Sequence, residues 1–446
     1  MSDYSIRTTP TFIDGLLMAL NSIGDAALVV DGSDCVYEQL DRAMNKHDWF
    51  GGLKNAAGGM RLSSSGIEHV TALLGTEQAL AARILEVARR DNPGIIFIAQ
   101  LPLMKLMGSD MNSVARKIAS EIKMPLVVLD PRRMNRDYLD GLALVFKGLA
   151  EILPRTDKIR KNRVAVVGYP FSRHEGEDIA NTGFLRAAIS ALGLEPGPIW
   201  FSGCNSAEIM STLESEYIAV LPHAASAIDA LKLNGHNHVF AAPLPLGLSG
   251  SADFVQTLAE VSAREHKAEE YIEQQLARAV RRMEPIISRV FAGRRVAVVS
   301  DPLNLPALNA FMREIGFDIA VEILRRRVKT ADDPGSTDAG AKDRLFDPSG
   351  ETLNFHVSQA INNGGLDFII GNSWEHDALA SFDLPFFELD FPCVVRHSIA
   401  DRPFWGFEGA LNLADEWARL ISESEYRHSR SAFRVTNREG NSGKKP

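Results

Sequence analysis

Four short segments carry residues whose types and spacing suit chemistry. The first is Asp31-Gly32-Ser33-Asp34-Cys35, which follows the β-branched run Ala26–Val30 and precedes a helical pattern. A thiol at such a strand-to-helix turn sits at the carboxyl edge of a parallel sheet, where open α/β sheets place ligands. A helix N-terminus also suits an anionic sulfur ligand. The plainer alternative is a small buried hydrophobe, the commoner fate of a lone cysteine. The second segment runs from Gly168 to Asp178 and is dense in polar residues at a strand's end, as a pocket, an interface or a solvated loop would be. The third, Leu221-Pro222-His223-Ala224-Ala225-Ser226, offers His223 as a ligand or proton donor. Its bland counterpart is a histidine satisfied by a neighbouring carbonyl. The fourth joins Phe391-Pro392-Cys393-Val394-Val395-Arg396-His397 to the aromatic stretch Arg402–Ala410 and reads as a pocket wall, an interface or a packed helix start.

Several chemistries are missing. The chain has no GxGxxG, no GxxxxGK[ST], no GxSxG, no HExxH and no CxxC pair. Standard ATP binding and a self-contained zinc or four-cysteine site are therefore not expected on this chain. The third cysteine, Cys204, reads as structural.

The elements that must position these segments recur along the chain. Ten short runs read as strands: Ala26–Val30, Ile95–Ala99, Leu126–Leu129, Val164–Gly168, Ile218–Leu221, Val239–Ala241, Val296–Val299, Ile319–Ile323, Phe368–Gly371 and Phe386–Leu389. Between them lie stretches with apolar residues at helical spacing, such as Gln78–Arg89, Met111–Glu121, Thr182–Leu192, Ala252–Val261 and Leu305–Ile315. This alternation predicts an α/β fold with parallel sheets flanked by helices. The pattern restarts at Lys161-Asn162-Arg163 and at Gly293-Arg294-Arg295, each time as a basic loop entering a strand. Three Rossmann-like domains follow, at 1–160, 161–290 and 291–446. The charged segment Glu260–Arg289 is expected to be a helix bridging the last two. Lys329–Gly350 reads as a surface loop, and the polar tail from about Arg427 as disordered.

Composition narrows the class. The 446 residues hold 48 Lys and Arg against 57 Asp and Glu, a net charge of −9, with 45% hydrophobic residues. That balance suits a chain with a large buried core and excludes wholesale disorder. A nucleic-acid partner is not expected, since the phosphate backbone calls for clustered cationic charge. Three cysteines point to a reducing compartment. Met1–Asp14 lacks the apolar core of a signal peptide, and no apolar run approaches the ~20 residues of a bilayer span. A cytoplasmic protein without membrane contact is expected.

Taken together, these segments resemble the component 1 family of nitrogenase and nitrogenase-like oxidoreductases. That family includes the molybdenum-iron protein, a cofactor-assembly scaffold, protochlorophyllide and chlorophyllide reductases and methylthio-alkane reductase. Asp31–Cys35 is similar to the family's His-Gly-x-x-Gly-Cys turn, one residue shorter, with Asp31 for the His and Asp34 for the second Gly. Val70–Leu80 resembles the Phe-Gly-Gly segment before a helix, with Leu74 and Thr76 as replacements. Leu106-Met107-Gly108-Ser109-Asp110-Met111 is similar to Ile-Gly-Asp-Asp-Ile. Leu366–Ser373 resembles the Asp-Leu-Leu-Ile-Gly-Asn-Ser strand. Phe391–Arg396 followed by Gly406-Phe407-Glu408-Gly409-Ala410 is similar to the Phe-Pro-x-Phe-Asp-Arg and Gly-Tyr-x-Gly ending of β-type subunits, with Val395 in place of the Asp.

The resemblance implies a β-type subunit paired with an α-type homologue in an α2β2 heterotetramer. A separate ATP-dependent iron-sulfur reductase would deliver electrons. Cys35 would bind an interfacial iron-sulfur cluster shared with the partner, relaying electrons to a substrate site mainly on that partner. Two other thiol positions of the family are replaced, one by Pro102 and one by the stretch Thr8-Thr9-Pro10. A [4Fe–4S] cluster takes about four protein ligands, so the partner would supply about three. His223 falls close to where α-type subunits carry an active-site cofactor ligand and stands here as a candidate pocket residue. A nitrogenase-like reductase, of the methylthio-alkane kind or otherwise, is the first reading. A cofactor-assembly scaffold subunit and a cluster-free structural or tetrapyrrole-binding paralogue are the alternatives.

Overall fold

The structure is a computed structural model that describes residues 9–44, 59–67, 76–130, 136–170, 173–233, 235, 237–326 and 345–441. Its strands are β1 Ala26–Asp31, β2 Leu62–Ser64, β3 Ile95–Gln100, β4 Leu126–Val128, β5 Arg160–Val167, β6 Glu195–Ile199, β7 Ser215–Val220, β8 His238–Ala241, β9 Arg295–Ser300, β10 Asp318–Leu324, β11 Leu345–Phe346, β12 Phe368–Gly371 and β13 Phe386–Glu388. They form three sheets, in the orders β2-β1-β3-β4, β6-β5-β7-β8 and β11-β10-β9-β12-β13. Every strand pair is parallel. The fold is thus α/β, with three parallel sheets flanked by helices.

The central strands read cleanly because both their faces are covered. β1 and β3 are buried along their whole length. Alternate residues of β1 serve two different cores. Leu28 and Val30 join the large core shared by the inner faces of all three sheets. Ala27 and Val29 face the helices Glu77–Asp91 and Met111–Ile118 in a smaller one. β9 divides in the same way, with Val296 and Val298 turned to the shared core and Ala297 and Val299 to a third cluster under the helix Gly350–Asn362. This period-two division is what a strand buried on both faces requires.

All ten strand expectations are met, and β2, β6 and β11 are additional. Each of these three is an edge strand. β6 is Glu-Pro-Gly-Pro-Ile, whose prolines are tolerated because an edge need not pair on both sides. The expected left-handed caps are present: Gly193 has φ 73° and Gly316 φ 96°, each just past a helix.

Three expectations are corrected. The bridging segment is not one helix. The helix Gly247–Ser262 ends where Ala263 turns left-handed at φ 52°, and a second helix, Glu265–Ile286, follows. It closes in a widened turn, Ile287–Phe291, beside Pro285, which has no N–H to give the ladder. The polar tail is helical as far as Asn441, in one helix that spans Gly406–Asn441, and residues 442–446 lie outside the described residues. No Pro or Gly interrupts it between Gly409 and Gly440, and composition alone does not separate such a polar helix from a disordered tail. The loop expected at Lys329–Gly350 ends in β11 and in the Ser349 cap of the next helix, where Ser349 Oγ accepts from Thr352 N at 3.2 Å; residues 329–344 lie outside the described residues.

The long helix 406–441 lies against the helices 247–262 and 265–286. Its Trp417, fully buried, packs against Phe311, Phe317, Phe368 and Phe387 of the third sheet's layer. That seam couples the second and third sheets. Among the described residues no helix is long and apolar enough to cross a membrane.

Candidate functional site

Each sheet begins with a central strand from which the chain winds outward both ways, and the crevice outside that switch point is where such sheets hold ligands. In the first sheet the switch lies between β1 and β3, so the turns after these strands form one edge. Cys35 is on the first of them, at the opening residue of the helix Cys35–Met44, and is exposed. Its Sγ accepts from Ser33 Oγ at 3.2 Å.

The turn is held from beneath. Gly32 N donates to Ser65 Oγ at 2.9 Å, and Ile67 N donates to Gly32 O at 3.1 Å. A Cβ on Gly32 would stand 2.5 Å from Leu101 Cδ1, so only glycine lets the two turns approach. Asp31, fully buried, accepts from Ser109 Oγ at 2.6 Å, Ser65 Oγ at 3.0 Å and Thr76 Oγ1 at 3.4 Å. Burial pushes its carboxyl above the ordinary value, and those three hydroxyls pull the other way. Asp34 accepts from Ser64 Oγ. Gly108, at φ 80°, and Asp110, the cap that accepts from Ser113 N at 3.0 Å, place Ser109 for its bond to Asp31. The segments Asp31–Cys35 and Leu106–Met111 thus meet in one corner. Thr76 of the Val70–Leu80 segment reaches the same corner, while residues 70–75 lie outside the described residues.

The helix after β3, Pro102–Leu106, exposes Leu103 (58%), Leu106 (71%) and the neighbouring Met107 (39%). An apolar edge beside an exposed thiol is the composition of a contact surface. The donors there fit one corner of an iron-sulfur cluster and not a whole one. Cys204 and Cys393 are buried elsewhere, Pro102 offers no donor, and no three His, Cys, Asp or Glu among the described residues are grouped to hold a metal ion.

His223 lies in a different place. A partly open pocket of ≈ 80 Å³ collects the carboxyl ends of the second and third sheets. Tyr169 follows β5, His223 follows β7, Asp301 follows β9 and Asp390 follows β13, and all four line it. His223 is 5% exposed and its Nδ1 has no hydrogen-bond partner, contrary to the carbonyl-satisfied reading. Burial pushes its pKa down to about 4, against the pull of Asp390. Asp301 Oδ2 accepts from Tyr138 Oη at 3.0 Å, and Asn304 Nδ2 bridges Asp301 Oδ2 and Asp390 Oδ1 at 2.9 Å each. Burial and the neighbouring Asp301 push the Asp390 carboxyl up, and Arg325, at 3.7 Å, opposes them. Arg325 itself grips Glu375 through bonds of 2.9 and 2.8 Å, with both side chains fully buried.

The second and fourth segments form the cavity's other wall. Arg173 Nη1 donates to Cys393 O at 2.9 Å, and Arg396 Nη2 meets Glu177 Oε1 at 3.1 Å. Asn181 Oδ1 accepts from Phe404 N at 2.7 Å and Trp405 N at 2.9 Å, fastening the aromatic stretch. Cys393 is buried, and burial pushes its thiol well above the ordinary range. Phe171 and Ser172 lie outside the described residues. Cys204 is a core residue whose carbonyl accepts from Gly24 N at 2.9 Å, in keeping with a structural role.

Sequence reasoning missed Arg325, Glu375, Asp301 and the hydroxyls around Asp31. Glu375 had a signal: Asn372 and Glu375 are spaced as a capping box, and both of its bonds are present. Arg325 had none, since it sits in the run Arg325-Arg326-Arg327, which has the look of a solvated patch.

A family model described as nitrogenase component 1 type oxidoreductase matches residues 13–422. The nitrogenase molybdenum-iron protein beta chain of Clostridium pasteurianum is 25% identical over 180 residues, covering 40% of this chain and 38% of that one. The beta chain of Bradyrhizobium diazoefficiens is 27% identical over 177 residues, 38% of this chain and 32% of its own length. The beta chain of Methanothermobacter marburgensis aligns over 403 residues at 19% identity, 80% of this chain and 82% of its own. The strongest of these alignments therefore span well under half of the relatives' length. Among solved structures, nitrogenase Cp1 at pH 6.5 superposes with a TM-score of 0.78 over 96% of both chains at 17% identity, which is a likeness of fold.

Proposed function

We propose that this chain, which belongs to the nitrogenase component 1 type oxidoreductase family, is a β-type subunit that lends Cys35 to an iron-sulfur cluster shared with an α-type homologue. The observation that carries the reading is Cys35 itself: an exposed thiol on a turn fixed by buried hydrogen bonds, at a sheet's switch point, beside an apolar edge. Preorganisation of this kind has no use for a free surface thiol and suits a ligand presented to another chain.

When bound, the cluster would accept and pass single electrons. This chain's part is to present the sulfur, to hold its turn through Asp31, Ser65 and Ser109, and to exclude water from the shared edge with Leu103 and Leu106. A low-dielectric surround of that sort tunes a cluster's potential. Electrons would come from a separate ATP-dependent iron-sulfur reductase, as the family resemblance implies. The assembly would be an α2β2 heterotetramer in the cytoplasm, with the substrate site mainly on the α-type partner and a nitrogenase-like reduction, of the methylthio-alkane kind or another, as its reaction. The division into units at 1–160, 161–290 and 291–446 belongs to the same proposal.

The test is anaerobic co-expression with an α-type homologue, with each chain also made alone. The reading expects the pair to co-purify and the complex to carry iron that neither chain holds alone. Failure to associate, or an iron-free complex, would refute it and favour the cluster-free paralogue.

A further inference from the structure

The turn that presents Cys35 carries a second polar side chain. Ser33 is exposed, and its Oγ donates to Cys35 Sγ at 3.2 Å. The residues on either side of Ser33 are fixed from β2 and from the helix start. Gly32 N donates to Ser65 Oγ at 2.9 Å, Asp34 accepts from Ser64 Oγ, and Tyr37 N donates to Asp34 O at 3.0 Å. The other hydroxyls of this corner are turned to carboxyl groups: Ser65, Thr76 and Ser109 to Asp31, and Ser64 to Asp34. Lys105, on the helix after β3, is held by Asp130 at 2.6 Å. Among the described residues, the side-chain donor on the sulfur is therefore the Ser33 hydroxyl. Asp31 and Asp34 put two carboxyl groups on the same turn, and negative charge there disfavours a further electron. A hydroxyl proton aimed at the sulfur acts in the opposite sense.

We propose that Ser33 raises the reduction potential of the cluster that Cys35 binds, by donating its hydroxyl hydrogen bond to the ligand sulfur. This role of Ser33 rests on Cys35 being a cluster ligand. Each reduction adds one electron, which the separate reductase supplies and the substrate site receives. The Ser33 proton stays on its own oxygen, and no covalent bond forms or breaks. The added electron makes the sulfur more negative and the hydrogen bond to it stronger, so Ser33 stabilises the reduced state more than the oxidised one. In the lone chain both side chains are exposed, and water competes for the bond. Once a partner covers the apolar edge of Leu103 and Leu106, the same bond acts in a lower dielectric and counts for more.

The experiment uses the anaerobically purified complex with the α-type homologue, poised with dithionite and redox mediators at a series of potentials. The reduced-state electron paramagnetic resonance signal gives the midpoint potential, and iron content checks that each variant holds its cluster. Ser33→Ala and Ser33→Val, which lack the hydroxyl, should move the reduction equilibrium about tenfold toward the oxidised state, which is about 59 mV for one electron. Ser33→Thr keeps the hydroxyl and should stay within about twofold of the natural complex. Unmoved potentials in the iron-loaded Ala and Val variants would overturn the proposal, as would a shift in the Thr variant as large as that in the Val variant. Should Ser33→Ala lose its iron, the Val and Thr pair decides. Loss of the cluster from all three would also overturn it and make Ser33 a structural residue of the turn. Cys35→Ala, measured alongside, separates the two readings. A cluster signal unchanged in that variant defeats the Cys35 reading, whereas a changed one, with potentials unmoved by the Ser33 variants, defeats the role of Ser33 alone.

Discussion

Arg325→Met is expected to lower stability by roughly 3–5 kcal/mol, because it strands a fully buried carboxylate. Glu375 loses both of its guanidinium bonds, and Asp390 loses the cation at 3.7 Å. That is a large share of the 5–15 kcal/mol by which domains are typically stable. Glu375→Leu on its own also removes a capping bond, the one Glu375 Oε2 accepts from Asn372 N at 2.6 Å. The double variant Arg325→Met/Glu375→Leu should recover most of the loss, leaving a deficit of about 1 kcal/mol for that cap. The two substitutions should therefore couple by about 2 kcal/mol or more. The pH dependence has a definite sign. Asp390 is already shifted upward in the folded chain, and removing Arg325 raises it further. The folded variant then binds more protons than the unfolded chain, so its deficit widens as pH rises and narrows as pH falls. Urea unfolding of the four proteins, followed by tryptophan fluorescence at two pH values, measures all of this. A single-variant loss below about 1 kcal/mol, or additive effects, would refute the buried-pair reasoning.

Three further outcomes are expected. His223 is held neutral, with a folded pKa of about 4 against an ordinary 6.5, so its contribution is complete above 6.5 and is lost as pH falls toward 4. His223→Gln should remove up to roughly 3 kcal/mol of that acid sensitivity, read from the slope of unfolding free energy against pH. Gly32→Ala should destabilise the chain by more than about 1 kcal/mol through the clash with Leu101, as a lowered urea midpoint would show. Leu106→Glu, at a site 71% exposed, should leave the lone chain's stability within about 0.5 kcal/mol and prevent co-purification of an α-type partner.

The sheets were legible because their strands are buried on both faces. Val164–Val167 and Val296–Val299 could be little else, and their glycine-ended helices confirmed the alternation. The edge strands were not, since Glu195-Pro196-Gly197-Pro198-Ile199 has the composition of a turn and is a strand only because β5 pairs with it. The Cys35 turn could be placed from its neighbours in sequence, as strand end and helix start flank it directly. The surroundings of His223 could not. Its cavity is built with Asp301 and Asp390, which follow strands of another sheet and lie far along the chain. Local sequence offered only a bland or a functional histidine, and the choice depended on whether a neighbouring carbonyl reached its ring. None did. The helix at Gly406–Asn441 was half legible: its buried start carries Trp417 on an apolar stripe, while its polar end has no partner in the pattern to betray it.

Cys35, as proposed, is one ligand of a cluster completed by another chain. The direct measurement is iron content and the reduced-state electron paramagnetic resonance spectrum of the anaerobically purified complex, natural and Cys35→Ala side by side. Because Cys35 is exposed and its side chain makes one hydrogen bond among the described residues, the variant should fold and assemble like the natural chain. The assembled variant should lose iron or show an altered cluster signal. Identical iron and identical spectra in an intact complex would contradict it.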